Sequence, residues 1–463
     1  MSSTFESSRR DFVKMALSGA AAGFLRVPAF SADPVRAVPS PSHLLWQDQE
    51  LGMFFHLDIP IWKPGWNWRS WKNYPDPSVY NPAKLDTDQW MEAAKAMGAK
   101  YVVFVAKHCS GFLQWQSDLY PYTVKQSSWR GGKGDVVKDF VESARRYGLK
   151  PGLYASVSCN GYLNADNPGR INRGRGGDPE AQKHYVKVCE QMCTELWTRY
   201  GELFEIWFDG GAMAPEDGGP DLVPIIEKYQ PKAVLFQGPA RAKNLLRWCG
   251  NEGGSAQYPC WGSTNDLSAE GGDRAKSFPG HPDGIYWAPA ECDTTLRAGE
   301  WFWTDETKPH KWKYRTLEDL MGMYIRSVGR NANLLLNASP NTDGLVPEPD
   351  FEIYRQFGAA LRERYAHPLG HAECTGDTVT LKFPAATEVN EIVITEDIRK
   401  GHCILDYQID GELAEGGVRK LCWGKSIGHK RIETCKPTAV KALTFRVHKA
   451  ANTPTFAFTA YRT

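Results

Sequence analysis

The chain has 463 residues, 42% of them hydrophobic and 24% charged, the make-up of a globular protein larger than one ordinary domain. Its 55 basic residues balance 54 acidic ones, so no net field draws it to nucleic acid or to an anionic membrane surface. The 17 tryptophans stand out: indole faces stack on the apolar faces of sugar rings, although they also fill cores.

At the N-terminus, Ser8-Arg9-Arg10-Asp11-Phe12-Val13-Lys14 precedes a short apolar run, Met15 to Leu25, rich in Ala and Gly. Paired arginines before a weakly hydrophobic segment read as a twin-arginine export signal. The small residues Ala29 and Ser31 place cleavage after Ser31, which makes 1–31 the signal and the mature protein periplasmic. The run is too short to span a bilayer, which takes about 20 apolar residues.

From about residue 50, short apolar runs alternate with amphipathic segments. Gly52 to Ile59 reads as a buried strand, and Thr87 to Gly98 as a helix with Trp90, Ala94 and Met97 on one face. Lys100 to His108 is a second strand; Asp135 to Gly148 repeats the helical pattern and ends on a glycine. Lys150 to Val157 is a strand, and Pro179 to Tyr200 a long helix with Tyr185, Val188, Met192 and Leu196 inward. Leu203 to Asp209 is a strand, Leu222 to Tyr229 a helix and Ala233 to Gly238 a strand. Apolar runs at Gly284 to Ala290 and Asn333 to Asn337 flank a helix near Leu317 to Val328.

Repeated strand–helix units in this number predict an α/β fold: a (β/α)8-like TIM barrel over residues 41–365. No G-x-G-x-x-G stands at the first strand–helix turn, which removes a dinucleotide-binding reading. From residue 371 to 463 the texture changes. Thr378 to Phe383, Glu391 to Ile398, His402 to Ile409, Ala442 to His448 and Phe456 to Tyr461 are short β-prone segments, which predict a small antiparallel β-sandwich. The 11 cysteines are an odd number without a Cys-x-x-Cys pair, and no histidine pair completes a zinc-like spacing beside Cys189 and Cys193. No metal and no organic cofactor is expected.

Barrels of this kind present reactive groups at the C-terminal ends of their strands. His56, His108 and Asp209 end apolar runs in that manner, and Gly210-Gly211 after Asp209 marks a tight turn. Glycoside hydrolysis needs two carboxyl groups across the anomeric carbon, one as nucleophile and one as acid and then base. Two partners for Asp209 present themselves. Glu252 sits in Arg247-Trp248-Cys249-Gly250-Asn251-Glu252, a loop-like stretch, and Glu291 lies in Trp287-Ala288-Pro289-Ala290-Glu291, just beyond an apolar run.

These segments resemble glycoside hydrolase family 29, the α-L-fucosidases. Gly52-Met53-Phe54-Phe55-His56 is similar to the family's first strand, and Tyr101 to Phe112 (YVVFVAKHCSGF) resembles its AKHHDGF signature. Ile206-Trp207-Phe208-Asp209-Gly210 resembles its WFDG strand, and Asn331 to Gly344 its late strand and turn. The resemblance implies a retaining exo-α-L-fucosidase with Asp209 as nucleophile. The stretch around Arg247-Trp248-x-Gly250-Asn251-Glu252 is similar to the subgroup acting on branched α-1,3/1,4-linked fucose, which gives the acid/base role to Glu252 and leaves Glu291 in reserve. It further implies that His56 and His108 bind fucose hydroxyls, that Trp71 and Tyr185 line the pocket, and that Arg247 and Trp248 border it. The substrate would be a fucosylated oligosaccharide or glycoconjugate. The chain departs from the pattern at Cys109 and Ser110, where the signature has His and Asp, and at Ser70, where a Glu is common. A glycosidase of a related α-L-sugar such as an α-L-galactoside, and a glycan-binding protein with weakened turnover, are the alternatives.

Overall fold

The computed structural model describes residues 36–67, 73–172, 177–267 and 278–463. Residues 1–31, read above as an export signal, and Trp71 lie outside them. Eight parallel strands close a barrel in consecutive order: β1 (Leu51–Phe55), β2 (Tyr101–Lys107), β3 (Lys150–Ala155), β4 (Glu205–Trp207), β5 (Val234–Phe236), β6 (Leu245–Trp248), β7 (Ala290–Thr294) and β8 (Ala332–Ala338), with β8 pairing back to β1. Most of these strands are buried on both faces, which is why they read as unbroken apolar runs.

Helix α1 (Pro41–Gln47) precedes the barrel, and α2 (Thr87–Met97), α3 (Val136–Arg146), α4 (Pro179–Arg199), α5 (Val223–Tyr229), α6 (Leu317–Ser327) and α7 (Glu348–Arg364) pack around it. Their ends follow local chemistry. Asp86, Asp135 and Asp178 cap α2, α3 and α4 through side-chain bonds to backbone N–H groups, and α2 stops at Gly98 with φ +95°. No helix separates β5 from β6, which are joined by residues 237–244 alone.

Two elements differ from the sequence expectation. Arg247 and Trp248 belong to strand β6 and not to a loop. The strand expected over Gly284 to Ala290 starts only at Ala290; upstream, Tyr286–Trp287 pairs antiparallel with Ser263–Thr264 in a two-stranded ladder. Strand β7 therefore carries Glu291 within it.

The C-terminal strands β9 (Gly370–Thr375), β10 (Thr378–Glu396), β11 (Ile404–Leu413), β12 (Val418–Gly424), β13 (Arg431–Ala450) and β14 (Thr455–Tyr461) form a six-stranded antiparallel sheet in the order β9-β14-β10-β13-β11-β12. Register shifts interrupt the long β10–β13 pairing, and the sheet doubles over. Phe445 pairs opposite Val379 at one end of β10 and Phe458 opposite Ile394 at the other, yet their rings lie 5.9 Å apart. The fold-over encloses Ile392, Ile394, Ile409, Leu443 and Phe445 in a second core.

This module is tied to the barrel. Arg364 of α7 donates through Nε to Oε1 of the fully buried Glu391 at 3.1 Å and through Nη2 to its other oxygen. The long β6–β7 loop is held at several points: Cys260 N–H donates to Ser426 Oγ at 3.1 Å, Gly262 N–H to His402 Nε2, and the Arg431 guanidinium lies 4.0 Å over the Tyr258 ring.

Candidate active site

A cavity of about 560 Å³ opens at the C-terminal ends of the strands and is lined by His56, His108, Cys109, Asp209, Trp248 and Glu252 among others. Its floor is aromatic. Trp207 of β4 stacks on Phe236 of β5 with centroids 4.0 Å apart and on Tyr154 of β3 at 5.4 Å, and Phe54 of β1 meets Trp207 at 4.9 Å. Such rings offer a flat apolar surface to the C–H face of a sugar.

Asp209 follows β4 directly. The chain then turns through Gly210, at φ +68°, where a Cβ would stand 2.6 Å from the Asn167 amide nitrogen. Tyr154 Oη donates to Asp209 Oδ2 at 2.9 Å, and Ser158 Oγ donates to its backbone carbonyl at 2.5 Å. Burial raises the Asp209 pKa above the ordinary aspartate range and the charge of Glu252 adds to the rise, while the Tyr154 hydrogen bond opposes it. Glu252 lies on the loop after β6, exposed at the rim, and accepts from Trp301 Nε1 at 3.1 Å.

His56 and His108 follow β1 and β2. Burial pushes each imidazole down to about 3, so both are neutral at ordinary pH. His56 is nearly inaccessible, and its Nδ1 has no hydrogen-bond partner. Ser110, next to Cys109, points away from the cavity and donates to buried Asp58 at 2.9 Å.

Three of the expected binding residues lie elsewhere. Glu291 is fully buried inside the barrel beneath the floor, where it accepts from Tyr101 Oη at 2.7 Å and Trp207 Nε1 at 2.9 Å. It neighbours Glu205, and burial raises the pKa of both carboxyls, so they are held protonated where free carboxyls ionise. Tyr185 is buried against the barrel wall with its hydroxyl on the Val157 carbonyl at 2.8 Å. Arg247 points into the β6–β7 loop, donating to the carbonyls of Phe278, Ala288 and Trp261, and so braces the loop from outside the cavity.

Several lining residues escaped the sequence reading: Tyr154, Asn167, Gln237, Asp293 and Trp301. Asp293 stands two residues after Glu291 on β7. It accepts from Trp248 Nε1 at 2.6 Å, and burial raises its pKa strongly. The alternation of a strand sends Glu291 and Asp293 to the same barrel interior, one deep and one at the mouth. That period-two pair of acids was the signal available.

Carboxyl groups above an aromatic floor, at the C-terminal mouth of a parallel barrel, are the arrangement of a barrel glycoside hydrolase. A family model described as Alpha-L-fucosidase matches residues 31–364. The chain is 30% identical over 443 residues to Alpha-L-fucosidase 1 of Arabidopsis thaliana, a match covering 86% of this chain and 82% of the plant protein. A crystal structure of a Bacteroides thetaiotaomicron VPI-5482 protein, described as a putative alpha-L-fucosidase, aligns with a TM-score of 0.85 at 37% identity, covering 92% of this chain and 100% of that one. A Ruminococcus gnavus GH29 fucosidase in complex with fucose shares the fold at a TM-score of 0.77 and 22% identity, covering 93% and 96% of the two chains. The protein belongs to the alpha-L-fucosidase family of glycoside hydrolases, family 29.

Proposed function

We propose that the protein removes terminal α-L-fucosyl residues from glycans with retention, Asp209 acting as nucleophile and Glu252 as acid/base. The observation that carries the reading is that these two carboxyl groups face one cavity and that the charge of Glu252 reaches Asp209. Glu291, the other partner weighed, is sealed beneath the floor.

In the first step the Asp209 carboxylate attacks the anomeric carbon, and Glu252 gives its proton to the departing glycosidic oxygen. In the second, Glu252 takes a proton from water, which attacks the same carbon, releases fucose and restores Asp209. Trp301 holds Glu252 at the rim, where a leaving group would emerge. The neutral imidazoles of His56 and His108, both lining the cavity, supply hydrogen-bonding capacity for sugar hydroxyls. The aromatic floor matches the apolar face and methyl group of fucose.

The test is product analysis. Hydrolysis of fucosylated oligosaccharides followed by NMR should give α-L-fucose first and the β-anomer only by later mutarotation. Initial release of the β-anomer would overturn retention, and release of galactose from α-L-galactosides in preference to fucose would overturn the sugar assignment. A panel including branched α-1,3/1,4-linked fucose tests the linkage expectation. We further propose export by the twin-arginine route, supported by Arg9-Arg10 and the apolar run behind them. Replacing both arginines with lysine should leave the enzyme in the cytoplasmic fraction.

A further inference from the structure

His108, Cys109 and Asp209 converge at one side of the cavity, and one ligand atom from each lies within 4.8 Å of the other two. The barrel makes the meeting: β2 delivers His108 and Cys109 in succession, and β4 delivers Asp209 two strands away. The imidazole of His108 is held by ring contacts, stacked on Tyr154 at 5.8 Å and edge-on to Phe302 at 4.8 Å. A second thiol stands behind the first. Cys159 neighbours Cys109; its Sγ accepts from Ser158 Oγ at 3.7 Å and lies 3.8 Å from Asp166 Oδ1.

We infer that this corner of the pocket is a binding site for a thiophilic divalent cation such as Zn²⁺ or Cd²⁺, with His108, Cys109 and Asp209 as ligands. Imidazole, thiolate and carboxylate form a donor set that zinc takes, and the sulfur discriminates against magnesium and calcium. Zn–N and Zn–O bonds of about 2.0–2.2 Å and Zn–S bonds of about 2.3 Å require the ligand atoms to close in by roughly 1 Å, which side-chain rotation supplies. The thiol loses its proton to solvent as the metal arrives, so affinity rises with pH until hydroxide competes for the metal.

The bound ion would occupy the place where a sugar meets Asp209 and would engage a carboxylate oxygen needed for attack. The cation is therefore a competitive inhibitor, and the inhibition depends on the hydrolysis proposed above. The binding itself does not.

The test separates the two. Full-length enzyme, chelator-washed and with thiols reduced by a phosphine, is titrated with Co²⁺ alone. The expected result is a near-ultraviolet thiolate-to-cobalt charge-transfer band saturating at one equivalent, displaced by Zn²⁺, absent in Cys109→Ala and weakened at least tenfold in Asp209→Asn. Both variants are checked for folding by thermal melt. No band in wild type, or an equal band in a folded Cys109→Ala, overturns the site. Where the enzyme turns over a fucosylated oligosaccharide, Zn²⁺ should raise KM without lowering kcat; a fall in kcat at constant KM would place the ion outside the pocket. A cobalt band in a protein without hydrolytic activity would leave this site standing and defeat the functional reading.

Discussion

Tyr154 and Asp209 are joined by one hydrogen bond, the phenolic hydroxyl donating to Oδ2 at 2.9 Å. It couples the aromatic floor to the carboxyl on which the proposed chemistry turns, because the same Tyr154 ring stacks on both Trp207 and His108.

That bond moderates a pH dependence set by burial. Burial holds the Asp209 pKa above its ordinary value, and attack requires the carboxylate, so kcat/KM falls as pH drops through that raised pKa. Tyr154→Phe removes a donor that favours the charged form, which raises the pKa further. The acid limb of the kcat/KM profile should move up by about one pH unit, the value of a charge-assisted hydrogen bond. A limb that stays in place, measured by initial rates across pH, would detach Tyr154 from the titration.

Removing the proposed nucleophile is the larger effect. Asp209→Ala should lower kcat by roughly 10⁴–10⁶-fold while the melting temperature stays within a few degrees, because the carboxyl faces the cavity. Burst analysis should show no glycosyl-enzyme in the variant.

The two glutamates should separate cleanly. Glu252→Ala is expected to lose about 10²–10⁴-fold on natural glycans, and azide should restore turnover of substrates with good leaving groups by giving a fucosyl azide. Glu291→Ala should show no azide rescue. Rescue of Glu291→Ala and not Glu252→Ala would reverse the assignment.

Glu291 should instead appear in stability. Its folded-state pKa and that of Glu205 are raised by burial, so the unfolded chain gives up these protons at lower pH than the native protein. The contribution is complete below the ordinary glutamate value of 4.5 and is lost progressively as pH rises toward neutrality. Glu291→Gln keeps the shape and removes one titration, so the stability curve measured by urea unfolding should flatten above pH 5. Glu291→Ala should cost about 1–3 kcal/mol through the unpartnered Tyr101 and Trp207 donors.

The ion pair between barrel and sheet is also open to test. Arg364→Ala leaves Glu391 buried without its bidentate partner, and a loss of about 3 kcal/mol is expected. Arg364→Ala combined with Glu391→Leu should recover most of it, as read by thermal melts at fixed pH.

Most of the barrel was legible because parallel strands buried on both faces announce themselves as apolar runs, and their helices as period-3.6 patterns with aspartate caps. Strand β6 was not, since it is short, carries Arg247 and has no helix before it. Strand β7 was displaced because Ala290-Glu291-Cys292-Asp293-Thr294 carries two acids. Those acids are tolerated inside the barrel by donors from Tyr101, Trp207 and Trp248, which are distant in sequence. Within the site, His56, His108 and Asp209 were visible as polar endings of apolar runs. Tyr154 and Trp301 were not, since nothing local distinguishes a lining aromatic from a core one. Tyr185 illustrates the converse: its hydroxyl serves a backbone carbonyl.

The loop that carries Glu252 runs on to Tyr258, Cys260 and Gly262, and there it is moored to the C-terminal module by Arg431, Ser426 and His402. Asp209, by contrast, stands at the end of a strand anchored within the barrel wall. The two carboxyl groups of the proposed mechanism thus have separate mechanical supports. On the proposed assignment, substitutions far out on the sheet would act through the support of Glu252, on the departure of the aglycone, more than on the grip of the sugar ring at Asp209.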